Sequence, residues 1–115
     1  SFFKRTGYAI AGWRKAFTGE LSFRTQTAAA LAAIGATTLI APSPTWWALI
    51  VLSISLVLAA ELFNTALERT LDGLHPKQAE FVRHAKDCAA GAVLIFSSAS
   101  VIIFILMILD SARFG

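Results

Sequence analysis

The chain has 115 residues with ten Lys and Arg against seven Asp and Glu, 57% hydrophobic and only 15% charged. An ordinary soluble domain carries roughly 25% charged residues, and a chain this short has a large surface to cover for its volume. The composition excludes a disordered chain, a disulfide scaffold and a typical soluble enzyme, and the net charge of +3 is too small to argue for nucleic acid; it indicates one domain of integral membrane protein.

Residues 1–19 mix Phe2, Phe3, Tyr8, Ile10, Trp13 and Phe17 with Lys4, Arg5, Arg14 and Lys15. Aromatics interleaved with cations predict an amphipathic helix lying on a membrane surface, although Gly7 and Gly12 weaken it. No long apolar run occurs here, so a cleavable signal peptide is not expected. A first membrane helix is predicted over 24–41, where Thr27 to Ala41 is uncharged and Arg24 can snorkel to the interface. Pro42 and Pro44 stop it, and Trp46 and Trp47 follow as an interfacial pair. A second helix is predicted over 45–72, ended by Gly73 and Pro76. A third is predicted over 85–110, with Cys88 to Leu109 free of charge. The expected fold is therefore an all-α membrane protein with one surface helix and three spans. Nine of the ten basic residues, all but Arg113, lie in the N-terminal arm up to Arg24 or between Arg69 and Lys86. This places the N-terminus and the 73–87 loop in the cytoplasm and the C-terminus outside.

Ionisable groups beside membrane spans are costly and suggest function. Glu61, Asn64, Glu68 and Asp72 recur at offsets of 3, 7 and 11, which at about 100° per residue gathers them on one helical face. Such an acidic stripe repels itself unless a Lys, an Arg or a divalent metal compensates, and carboxylates are hard ligands suited to Mg²⁺. The plain alternative is a solvated acidic helix end, which leaves Glu61 so near the lipid core unexplained. Glu20, at the edge of the first span, could join the stripe in space. Lys86 could meet a phosphate as a point charge, or serve with Arg83 as a positive-inside anchor. Asp87, near the expected start of a helix, could act as a cap. Ala89-Ala90-Gly91-Ala92 reads as close helix packing. His75 and His84 lack ligand-like spacing, the single Cys88 permits neither an intrachain disulfide nor a CxxC site, and no soluble nucleotide-binding motif is present.

The run Ala60-Glu61-Leu62-Phe63-Asn64-Thr65-Ala66-Leu67-Glu68, with Asp72 after it, and Ala85-Lys86-Asp87-Cys88-Ala89-Ala90-Gly91-Ala92-Val93-Leu94 later, resembles the small bacterial diacylglycerol kinase family, which includes undecaprenol kinases. Glu20-Leu21-Ser22-Phe23-Arg24 is similar to an upstream element of that family. The resemblance covers nearly the whole chain. It implies an ATP- and Mg²⁺-dependent lipid kinase of the bacterial inner membrane, a homotrimer with active sites shared between subunits. Carried over, it implies Glu61 as general base and Glu20 and Glu68 as metal ligands. Asn64, Lys86 and Asp87 would lie around the nucleotide phosphates together with those glutamates, with Asp72 as a further acidic position. The expected acceptor is diacylglycerol, giving phosphatidic acid. Undecaprenol is the alternative: the Ala89-to-Leu94 stretch and the Ala60-to-Glu68 run lean towards it and the Gly19-to-Gln26 stretch towards diacylglycerol. Two readings from other classes stand beside these. An ion or proton transporter would spread acids through the span, yet residues 46–60 hold none; a non-catalytic assembly subunit would not need Glu20, Glu61, Asn64, Glu68 and Lys86 together.

Overall fold

The computed structural model describes residues 1–114, and these form four helices. They are α1 Phe2–Gly19, α2 Leu21–Ile40, α3 Pro44–Leu74 and α4 Glu80–Phe114. No strand occurs among the described residues. The longest axis of the molecule is 55 Å. Helices α3 and α4 form the main pairing, α2 packs chiefly on α3, and α1 lies against α2 and α3.

The breaks follow from local chemistry. Glu20 alone separates α1 from α2. Its backbone is extended (φ −123°, ψ 112°), its N–H donates to the carbonyl of Ala16 at 2.9 Å, and its own carbonyl accepts from Arg24 N–H at 3.2 Å. One residue therefore ends one helix and begins the next. The first membrane helix, expected over 24–41, accordingly starts at Leu21, which brings Ser22 and Phe23 into its first turn. It ends at Ala41, which sits in the left-handed region (φ 52°, ψ 56°), a position usually given to glycine.

Pro44 opens α3 at a position where no N–H is required of it. The expectation that Gly73 ends this helix at 72 is corrected. Gly73 is helical, and the chain breaks at His75, because a residue before proline is driven from the α region. The start of the last helix is corrected from 85 to Glu80 and its end from 110 to Phe114. The charged segment before Ala85 is helix, supported by Glu80 facing Arg83 at 3.9 Å and His84 at 3.8 Å.

At 31 and 35 residues, α3 and α4 are roughly 46 and 52 Å long, against a hydrocarbon core of about 30 Å. Both are long and apolar enough to cross a membrane; α2, the third predicted span, is not among them. Leu94, Ile95, Val101, Ile102 and Leu109 stand exposed along α4, a surface suited to lipid. The interior is small, centred on Phe23, Ile50, Val57, Ala60 and Met107. The hydroxyls of Thr37 and Ser53, both buried, donate back to carbonyls of their own helices, those of Ala33 at 2.7 Å and Ile50 at 3.1 Å, as polar groups must in such surroundings.

Candidate active site

The polar face expected of the second membrane helix exists on α3, and its exposure is graded. Glu61 is buried, at 4% relative exposure. Asn64 and Glu68 are half-buried, and Asp72 is exposed. The stripe thus runs from the packed core to the water-facing end of the helix.

Each acid has its own partner. Glu61 Oε1 accepts from the Ser22 hydroxyl on α2 at 2.9 Å. Glu68 Oε1 accepts from Asn64 Nδ2, one turn earlier on α3, at 2.9 Å. Asp72 Oδ1 accepts from Lys86 Nζ on α4 at 2.7 Å. Glu20 Oε1 pairs with the Arg69 guanidinium at 3.2 Å, so the α1–α2 junction reaches α3 at the residue next to Glu68. The compensation that an acidic stripe demands is therefore supplied by Arg69 and Lys86. Gly19 makes room for it, since a Cβ there would stand 2.8 Å from the Arg69 guanidinium.

Other expectations change in detail. Asp87 lies seven residues inside α4 and is no helix cap. With Asp72, Lys77, Arg83 and Lys86 it lines a cavity of about 180 Å³ between the end of α3 and the start of α4. Glu20 and Glu68, the pair implied as metal ligands, are engaged by Arg69 and Asn64. No group of three or more His, Cys, Asp or Glu gathers as a metal site among the described residues. One buried atom lacks a hydrogen-bond partner in this region, the Oδ1 of Asn64. An orphaned carbonyl oxygen beside a carboxylate is a hard donor set that suits a cation or its water shell.

Sequence reasoning missed Ser22 and Arg69. By sequence Arg69 groups with the basic residues that set orientation. Ser22 carried no signal beyond its place two residues after Glu20. A larger apolar groove, about 530 Å³, lies between α2 and the α3–α4 pair, with Ala29, Ala33 and Ala36 facing Val57 and Phe104. Gln26 and Leu58 also line it; they follow Ser22 and precede Glu61 by about one turn, so the groove leads up to that hydrogen bond.

A buried carboxylate one turn beyond an apolar groove, with cations and a polar cavity further out, is an arrangement that can accept a proton and attract a phosphate. The prokaryotic diacylglycerol kinase family model matches residues 7–108. The chain is 39% identical over 109 residues to an undecaprenol kinase of Bacillus subtilis, covering 94% of this chain and 88% of that one. It is 40% identical over 97 residues to a diacylglycerol kinase of Synechocystis, covering 84% of this chain and 55% of that one. It is 30% identical over 105 residues to a diacylglycerol kinase of Escherichia coli, covering 91% of this chain and 86% of that one. The chain belongs to the prokaryotic diacylglycerol kinase family, membrane-bound ATP-dependent lipid kinases.

Proposed function

We propose that the chain transfers the γ-phosphate of ATP to the hydroxyl of diacylglycerol, giving phosphatidic acid and ADP, with Glu61 as general base. The observation that carries this reading is the Glu61 carboxylate, buried at the head of the apolar groove and held through one oxygen by Ser22. A lipid chain in the groove would bring its hydroxyl to that carboxylate. The hydroxyl oxygen forms a bond to the γ-phosphorus while the bond from that phosphorus to the β–γ bridging oxygen breaks. The hydroxyl proton passes to Glu61, and ADP departs with the bridging oxygen. Glu68 lies seven residues on, about 10 Å along the helix, so base and phosphate-binding groups are spaced for lipid and nucleotide respectively.

Phosphoryl transfer depends on positioning and charge neutralisation more than on covalent catalysis. Lys86, Arg83 and Lys77 around the smaller cavity suit the nucleotide phosphates, with Asp87 beside them and Asp72 paired with Lys86 until a phosphate takes its place. Mg²⁺, when bound, supplies further neutralisation of phosphate charge; Glu68 and the Asn64 carbonyl fit it as they stand, and Glu20 fits once Arg69 releases it. The chain works in a bacterial inner membrane, with α2 as a third span beside α3 and α4. Its N-terminal arm and the 75–79 turn are cytoplasmic and the end of α4 is external, which agrees with the basic residues. α1 rests on the cytoplasmic surface. A homotrimer with shared sites fits the exposed apolar faces, since one chain encloses little of the pocket.

Undecaprenol as acceptor is the second reading, favoured by the relative from Bacillus subtilis, which is matched over 88% of its length. ATP consumption by purified protein in detergent with Mg²⁺ decides between them. Diacylglycerol should stimulate it most; faster turnover with undecaprenol would transfer the assignment, and no stimulation by either lipid would remove it.

A further inference from the structure

Five hydroxyl side chains lie along α2, and four of them serve their own helix. Thr25, Thr27, Thr37 and Thr38 donate to the carbonyls of Leu21, Phe23, Ala33 and Ile34 at 2.7–3.0 Å, the usual arrangement for hydroxyls on a helix. Ser22 departs from it. The residue four before it, Thr18, belongs to α1 across the break at Glu20, so the Ser22 hydroxyl has no carbonyl of its own helix to bond. It reaches across to Glu61 Oε1 instead.

The donor is held firmly. Phe23, the next residue, is fully buried and meets Trp13 of α1 edge-on, with ring centroids 6.1 Å apart. One turn further on, Gln26 Nε2 donates to Ser97 Oγ of α4 at 3.2 Å. The first turn of α2 is thus tied to α1, α3 and α4, and its rotation about its own axis is fixed where Ser22 projects. Glu61 Oε2 accepts no hydrogen bond from the described residues. One carboxylate oxygen is anchored and the other is left to take a proton.

We propose that Ser22 is a positioning residue for the general base: its hydroxyl fixes the Glu61 carboxylate so that Oε2 faces the lipid hydroxyl. This rests on the reading of Glu61 as the base. Proton transfer needs heavy atoms within about 3 Å, and a carboxylate free to rotate would spend much of its time out of line. Ser22 touches neither lipid nor nucleotide in this role.

The test uses full-length protein purified in detergent, with kcat, KM for ATP and KM for lipid measured beside thermal unfolding. Losing a hydrogen bond to a charged group typically costs enough to slow a reaction about 10- to 100-fold. Ser22→Ala should lower kcat by about that factor with both KM values and the melting temperature unchanged. Ser22→Cys, similar in size but a weak donor, should fall alongside it and stands in if the alanine variant does not fold. Ser22→Thr should recover most of the rate. In a Glu61→Gln background, Ser22→Ala should cause no further loss, because the two residues act as one unit. Folded Ser22→Ala and Ser22→Cys proteins with parent kcat, beside an inactive Glu61→Gln, would overturn the positioning role and leave the base assignment standing. A Glu61→Gln protein with parent kcat would overturn both. A lowered melting temperature with unchanged kcat per folded protein would reduce the hydrogen bond to a structural tie.

Discussion

Lys86 and Asp72 form a short ion pair, 2.7 Å from Nζ to Oδ1, and the two partners are expected to respond very differently to neutralisation. The side chains are 34% and 65% exposed, so the pair is largely solvated and contributes only about 0.2–1 kcal/mol to folding. If the pair mattered only for stability, Lys86→Met and Asp72→Asn would cost the same small amount, and neither would change the rate per folded molecule. The Lys86 ammonium also lines the cavity assigned to the nucleotide phosphates. A fixed charge stabilising a phosphoryl group in transit is worth about 10²- to 10³-fold in rate, by analogy with the loss of one donor to a developing oxyanion. Lys86→Met should therefore fall by about two to three orders of magnitude in kcat/KM for ATP while unfolding within about 1 kcal/mol of the parent. Asp72→Asn, which frees the lysine without removing its charge, should keep most of its activity. Lipid-stimulated ATP consumption measured with thermal unfolding on both variants checks this. Equal losses in the two variants would refute the reasoning, as would a Lys86→Met protein whose activity falls only with its folded fraction.

Glu68→Gln removes one charged oxygen from a hard cation and should raise the Mg·ATP requirement sharply; activity at ordinary Mg·ATP matching the parent would count against Glu68 as a ligand. Asn64→Leu should act in the same direction, because it removes both the orphaned carbonyl oxygen and the Nδ2 donor that holds Glu68, and it should cost some stability for the lost hydrogen bond. For topology, single cysteines at Ser43 and Gln78 in a Cys88→Ser background should label oppositely in intact cells, position 43 reacting with an impermeant reagent and position 78 not; the reverse pattern would invert the orientation. Ala41→Gly relieves a left-handed backbone at an alanine and should stabilise the protein by about 0.5–1 kcal/mol after the entropy of the unfolded glycine is counted; a destabilisation measured by thermal unfolding in detergent would contradict it.

Composition and periodicity were enough to read an all-helical chain, because apolar runs and proline breaks report directly on backbone preference. The boundaries that moved did so for identifiable reasons. The charge at Glu80, Arg83 and His84 suggests a loop, but charged residues at helical spacing support one another, and the helix extends through them. Gly73 suggests a stop, but glycine lowers helix stability without breaking it, and the break waits for Pro76. The common face of Glu61, Asn64, Glu68 and Asp72 was legible because it lies within one helix. What lay hidden were the partners from other helices. Ser22 on Glu61 and Arg69 on Glu20 depend on how α2 is rotated against α3 and on the one-residue break at Glu20. No pattern along the chain encodes that rotation; it follows from packing Phe23 and Gln26 inward.

Turnover by a folded Glu61→Gln protein is the most direct measurement of the central claim. The substitution keeps the shape of the side chain and an oxygen to accept from Ser22, and removes only the capacity to take the proton. If Glu61 is the general base, lipid phosphorylation should fall by about two to four orders of magnitude, with ATP affinity and thermal unfolding near those of the parent. A folded variant that phosphorylates lipid at the parent rate would contradict the account.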